Sequence, residues 1–338
     1  IHGFNLEGEI DVTELNKSGT VDRSVRRIRW ERIGGRIAEQ AKRGQFGTVK
    51  LLVDSDGDGR MDTAQVWADR LPPCYGLLPS GDGLVVVCAP DILFLADRDG
   101  DGRAEVRKTL LTGFRREFIE RGINNPRWGL DNWIYVGSGG DGGTIRGPKL
   151  KAPVTLGRTD FRIKPDGSAI EPVTGTVRTF GWGMNAIGDR FTTAGGTPVS
   201  ANLPLPYRYL GRNPFVASPA VAYTASNYNR VFGISPPHPW RVVRGQDPNW
   251  VKFYGQRETS GGFFTSGCGT EIYQGRLFPR EMVGQLFCCE PSNNVIHRSA
   301  LTLDGSVYRA RRTANESRSE FLASGDPWFR PVNLRVGP

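Results

Sequence analysis

The sequence has no apolar run approaching the roughly eighteen residues that a membrane-crossing helix needs, so a helical membrane protein is excluded. It has only three histidines, His2, His238 and His297, too scattered to suggest a histidine metal triad. Its five cysteines form neither a CxxC pair nor a CxxCH, which excludes a zinc ribbon and a covalent c-type haem in this chain. No GxSxG elbow, HExxH or P-loop occurs, so hydrolase, zincin and NTPase readings gain no support. Helix signatures are missing after residue 44. The chain opens at Ile1-His2-Gly3 with neither Met nor signal peptide, and a removed leader or a longer gene is expected.

What is abundant is glycine and proline, at 44 and 23 of 338 residues, separating short apolar runs. Thr48–Val53, Thr63–Trp67, Gly83–Cys88, Ile92–Ala96 and Trp133–Gly137 are rich in β-branched and aromatic residues and read as strands. They group into four-stranded units of roughly 45 to 55 residues, the length of propeller blades. One unit runs from Tyr75 to Leu111, the next from Trp128 to about Val177, and a third opens at Phe180-Gly181-Trp182. A fourth spans Thr270–Leu322, and Phe329–Val336 reads as the first strand of a fifth. The predicted fold is all-β: a β-propeller over residues 45–338 with four to five blades present, incomplete at Gly337-Pro338, and carrying a long insertion at 198–262. A sandwich or solenoid is the alternative.

Net charge is +9, and Asp22–Arg43 holds eight basic against three acidic residues. Val25, Ile28, Ile33 and Ile37 keep one face of that stretch apolar, which favours a solvated helix over a basic arm, and no nucleic-acid motif accompanies it. Residues 1–44 are therefore set apart as a basic segment, and no nucleic-acid partner is expected.

Two segments carry the clearest chemistry. Asp54-Ser55-Asp56-Gly57-Asp58-Gly59-Arg60-Met61-Asp62 and Asp97-Arg98-Asp99-Gly100-Asp101-Gly102-Arg103-Ala104-Glu105 place carboxylates at positions 1, 3, 5 and 9 and Gly at position 6, the order of an EF-hand calcium loop. Three carboxylates within five residues repel one another unless a cation sits among them. The carbonyl at position 7, Arg60 or Arg103, is a further candidate ligand. Position 12 is Gln65 or Lys108 instead of Glu, and the flanks read as strands, so the expectation is two calcium loops at hairpin tips. Polar hairpins with Asp–Arg pairing are the alternative.

Other signals are weaker. Gly137–Gly142 satisfies GxGxxG, but no helix signature follows, so a dinucleotide site is not expected. Cys268 and Cys289 sit at the ends of neighbouring predicted strands, where a disulfide closing a loop of about 20 residues is worth roughly 3 kcal/mol. Cys288 competes as partner, and free buried thiols are the alternative. His297 is either a channel base or a satisfied structural histidine.

Taken together, DSDGDGRMD and APDILFLADRDGDGRAE within Val53–Phe114, NPRWGLDNWIY at Asn125–Tyr135, DFRIKPDG at Asp160–Gly167, Phe180–Phe191, YLGRNP at Tyr209–Pro214, FTSGCGTEIY at Phe264–Tyr273, Phe287–Arg298 and Glu320–Pro338 resemble the haem-binding β-propeller dehydrogenase-like proteins of planctomycetes, relatives of glucose/sorbosone dehydrogenases. The resemblance implies an exported propeller, periplasmic or extracellular, linked to sugar or alcohol oxidation. It also implies pyrroloquinoline quinone as cofactor, electrons passing to a c-type cytochrome module outside this chain, and only indirect membrane association. Arg121, Arg127 and Arg212 would face an anionic cofactor, and Asn124 and His297 would orient a substrate hydroxyl. Two positions depart from the pattern: Arg121 stands where relatives carry a His suited to proton abstraction, and Asn185 replaces an acid. Those departures favour the competing reading of a non-catalytic, calcium-stabilised binding or scaffold propeller.

Overall fold

The computed structural model describes residues 44–45, 47–116, 122–174, 179–202, 205–210, 212–213, 215, 222–237 and 261–337. The basic segment up to residue 43, Arg121 and His238 lie outside them. The chain divides into two compact units, the described residues to Val173 belonging to one and those from Thr174 to the other.

In the first unit, β1 (Gly47–Val53) and β2 (Thr63–Leu71) form an antiparallel hairpin. Next come β3 (Gly76–Ser80), β4 (Gly83–Cys88), β5 (Asp91–Ala96) and β6 (Val106–Phe114), an up-and-down meander. The strand period of two explains why β4 is buried on both faces. Val85 and Val87 point into one core with Ile92, Leu111, Ile134, Val136 and Ile163, whereas Val86 and Cys88 point into another with Val49, Leu71 and Leu95. The first of these cores is the layer between the meander and a four-stranded sheet of β7 (Asn124–Trp128), β8 (Ile134–Gly137), β11 (Phe161–Ile163) and β12 (Ile170–Pro172). Phe114 and Phe161 stack across it at 5.2 Å.

One departure from the sequence reading concerns β9 (Gly143–Arg146) and β10 (Val154–Leu156). They lie inside the predicted second blade, yet β9 pairs with β6 and extends the previous sheet to six strands. The glycine-rich GxGxxG segment thus runs from one strand to another, with no helix whose N-terminus could receive a pyrophosphate.

In the second unit, β13 (Gly181–Met184), β14 (Arg190–Ala194), β15 (Thr197–Asn202) and β16 (Ala222–Thr224) form one antiparallel sheet. The long insertion expected at 198–262 is therefore cut back, because its first part supplies the third and fourth strands; only the short helix α1 (Tyr207–Leu210) interrupts the described residues between them. A second sheet contains β17 (Cys268–Ile272), β18 (Leu286–Glu290), β19 (Val295–Asp304) and β20 (Val307–Arg311), with β21 (Leu322–Ala323) added to β19. Phe191 and Val199 of one sheet share a core with Ile272, Leu286 and Val295 of the other. Backbones touch where they meet: a Cβ on Gly181 would lie 2.2 Å from the Gly269 nitrogen. Phe329–Val336, predicted as a strand, is irregular; it carries Pro331, which offers no N–H to a ladder.

The result is an all-β structure whose sheets of four to six antiparallel strands resemble propeller blades. Leu111→Ala, fully buried between two sheets, should cost about 2–5 kcal/mol. Leu303→Ala, on an exposed strand end, should stay within about 0.5 kcal/mol. Urea unfolding midpoints of the two variants check this contrast.

Candidate functional site

The two acidic segments are the tips of the β1–β2 and β5–β6 hairpins, and their internal geometry is the same. In the first tip, the Asp54 carboxylate accepts the backbone N–H of Gly57 at 2.7 Å and of Gly59 at 2.9 Å. In the second, Asp97 accepts those of Gly100 at 2.8 Å and Gly102 at 2.9 Å. Asp56 and Asp99 accept the N–H two residues on, at 3.1 and 3.2 Å, and Asp58 and Asp101 accept those of Arg60 and Arg103 at 2.7 Å. At position 9, Asp62 accepts the N–H of Ser55 at 2.7 Å, and Glu105 that of Arg98 at 3.1 Å. The sequence reading missed position 4: Gly57 and Gly100, like Gly59 and Gly102, have φ between 77° and 86°, so both glycines of each tip take the left-handed conformation.

At Asp54 and Asp62 these bonds favour the ionised form. Gly59 above all, with Gly57, holds Asp54 below its usual range, and the Ser55 hydroxyl does so for Asp62. A carboxylate oxygen that accepts one N–H keeps a lone pair for a cation. Asp54, Asp56 and Asp58 can bring one oxygen each within 4.8 Å of one another, as can Asp97, Asp99 and Glu105, so each tip can coordinate a metal. Asp62 and Asp101 fall outside those sets. Gln65, at the position where an EF-hand places Glu, donates instead to the Gly102 carbonyl at 3.1 Å and ties one tip to the other.

The remaining candidates are not so placed. Asn124 is buried in β7 and donates to the Gly122 carbonyl at 2.9 Å, and half-buried Arg127 follows on the same strand. Arg212 is exposed, its guanidinium 5.0 Å from the Tyr209 ring. Asn185 shapes the β13–β14 turn: its Oδ1 accepts the Asp189 N–H at 2.8 Å and its Nδ2 donates to the Tyr308 hydroxyl at 3.0 Å.

His297 is sealed, with no solvent-exposed surface. Its Nδ1 meets Glu320 Oε2 at 2.6 Å, and its Nε2 meets the Tyr228 hydroxyl at 2.8 Å and Ser299 Oγ at 3.1 Å. Glu320 also accepts from Arg312 at 2.6 Å and from the Phe232 N–H at 2.8 Å. Burial lowers the His297 pKa, and its hydrogen bond to Glu320 only partly offsets this; bonds from His297 and Arg312 hold Glu320 down despite its burial. The network is thus a neutral imidazole donating to a carboxylate whose counter-ion is Arg312. Both ring nitrogens have partners within the protein, the arrangement of a histidine that holds its surroundings together. Only its Glu320 partner reaches a cleft of about 630 Å³, also lined by Arg230, Phe232, Phe263, Asn293 and Arg318.

All five cysteines are free thiols. Cys268 and Cys289 are register partners across β17 and β18, as expected, but the bridge between them is not formed. Burial pushes the Cys289 thiol up to about 12 and Cys268 well above its ordinary value, which starves exchange of thiolate.

Residues 33–338 match the family model described as a domain of unknown function (DUF7133). No curated protein sequence matches the chain. An oxidoreductase of Thermus thermophilus described as a glucose dehydrogenase has a similar structure, with a TM-score of 0.50 and 17% identity over 87% of this chain and 83% of that one. A second glucose dehydrogenase scores 0.48 at 16% identity over 87% and 85%. The quinone-bound aldose sugar dehydrogenase of Streptomyces coelicolor scores 0.40 at 14% identity over 84% and 85%. At such identity the Thermus likeness shows the fold alone.

The buried network sets a pH dependence. A neutral histidine with a depressed pKa and a carboxylate with a depressed pKa both stabilise above their unfolded values, and both lose that contribution as pH falls. Melting temperature should therefore drop between pH 7 and about 4, with the His297 part beginning near 6.5. His297→Gln should flatten the upper part of that drop; an unchanged slope from pH 7 to 5 in thermal melts would remove His297 from it.

Proposed function

The chain belongs to the DUF7133 family, and from its fold and its acidic tips we propose that it is an oxidoreductase-type propeller that takes a small sugar or alcohol and carries a calcium ion at each acidic hairpin tip. The observation that carries the reading is the fold: 87% of the chain follows the Thermus protein described as a glucose dehydrogenase. The cleft of about 630 Å³ in the second unit, within the size range of small-molecule pockets, supports it. In this reading the sheets over residues 45–338 are propeller blades, the protein is periplasmic or extracellular, and electrons leave to a c-type haem module outside this chain. Among the described residues, no helix is long and apolar enough to cross a membrane.

Calcium fits the residues present. Asp54, Asp56 and Asp58, and Asp97, Asp99 and Glu105, are hard oxygen donors of the kind that ion prefers, and Asp62 with the Arg60 carbonyl and Asp101 with the Arg103 carbonyl are the further donors the loop spacing offers. Its role there is structural: it neutralises charge crowded at the tips. Pyrroloquinoline quinone fits less well. The base expected of His297 is sealed inside the second unit. No reaction step is assigned to that cofactor.

The sealed His297 favours a second reading, a calcium-stabilised propeller that binds without turnover. Dye-linked oxidation of a panel of aldoses and alcohols, with calcium and pyrroloquinoline quinone added, separates the two. The first reading expects dye reduction that requires both substrate and quinone. A protein inert across the panel, yet raised in melting temperature by one of the same sugars, overturns it in favour of the second.

A further inference from the structure

The first unit holds a cysteine pair outside every site considered above. Cys88 ends β4, and Cys74 lies just before β3. In the β3–β4 ladder Gly76 is the register partner of Val87, yet the Tyr75 N–H also donates to the Val87 carbonyl at 3.0 Å. Two residues therefore face one, a bulge. The extra residue shifts the register beyond it, so the next residue on each side, Cys74 and Cys88, comes opposite its counterpart. The pair beside a hydrogen-bonded one in an antiparallel ladder is the close one, where side chains approach most. Both cysteines point into the same core, with Val86 and Leu95, and are 7% and 0% exposed. Cys74 Sγ donates to the Pro72 carbonyl at 3.1 Å and Cys88 Sγ to the Val86 carbonyl at 3.9 Å, and the neighbouring Cys74 thiol, ahead of burial, is the main reason the Cys88 thiol is pushed up. Cys268 and Cys289 differ: burial is the main cause of the shift in each.

We propose that Cys74 and Cys88 are the disulfide-forming pair of this protein, joined when the chain folds in an oxidising medium. The bond would staple the entry of β3 to the end of β4. Oxidised glutathione supplies the balance. The Cys74 thiolate attacks one glutathione sulfur, breaking the glutathione disulfide and releasing one glutathione thiolate. The Cys88 thiolate then attacks the Cys74 sulfur of the mixed disulfide, forming the protein disulfide and releasing the second. Two electrons pass to glutathione, and the released thiolates take up the two cysteine protons. The pairing must form before the core closes, because the thiolate is the reactive species and both sulfurs end up buried.

The whole chain is refolded in a reduced/oxidised glutathione buffer, its thiols are titrated in denaturant, and its peptides are mapped by mass spectrometry without reduction. The expected result is two fewer titratable thiols than the five of the reduced protein, one cross-link joining the Cys74 and Cys88 peptides, and a melting temperature higher by about 5 °C or more than that of the reduced form. Cys74→Ser should retain all four remaining thiols. Five titratable thiols, a glutathione adduct on Cys74 without a cross-link, or a cross-link confined to Cys268, Cys288 and Cys289 would each overturn the proposal. None of these outcomes bears on the oxidation assay.

Discussion

An antiparallel ladder keeps its register only if the turn closing it has one shape, and a turn has one shape only if its backbone N–H groups have fixed acceptors. At two hairpins of the first unit those acceptors are carboxylates. Asp54 and Asp97 each gather two N–H groups of their own loop, and Asp62 and Glu105 fasten the far end by accepting the second residue's N–H. The same arrangement concentrates negative charge, since Asp54, Asp56 and Asp58, and likewise Asp97, Asp99 and Glu105, can bring oxygens within 4.8 Å of one another. Hydrogen bonds from the backbone offset part of that repulsion, and the proposed calcium ion would offset the rest. Gln65 passes the order of one tip to the other through the Gly102 carbonyl.

The second unit solves a related problem in the opposite medium. A carboxylate buried without partners is costly, and Glu320 is buried with three: His297, Arg312 and the Phe232 N–H. The network ties β19 to the segment ahead of β21 and to the chain around Phe232, and so builds one wall of the cleft. The same pairing holds His297 out of contact with solvent, between Glu320 and the Tyr228 hydroxyl.

The readable parts of the fold are those governed by local chemistry. β1 to β6 follow alternating or continuous β-branched runs broken by Asp-Gly turns, and all six are legible to within a few residues. The acidic tips are legible because two copies of one spacing are a strong pattern, although the second left-handed glycine in each does not stand out. Pairing partners are harder. Nothing local in Gly143–Arg146 says that it joins β6 rather than the sheet begun by β7 and β8, since that choice is made by packing against Phe114 and Leu111. β7 starts earlier than expected because Asn125, at φ 52°, and Pro126 disguise a strand. The partner that decides the role of His297 lies 23 residues away, beyond the reach of spacing arguments. The register of Cys268 and Cys289 is legible, but whether sulfurs meet depends on side-chain direction, which spacing does not encode.

The two tips are proposed to be cation sites as well as turns. Calorimetric titration of the metal-stripped chain with calcium tests it most directly. One ion per tip should bind, and Asp54→Asn with Asp56→Asn should abolish one event while leaving the other. A chain that takes up no calcium, or a variant that binds as the parent does, would contradict it.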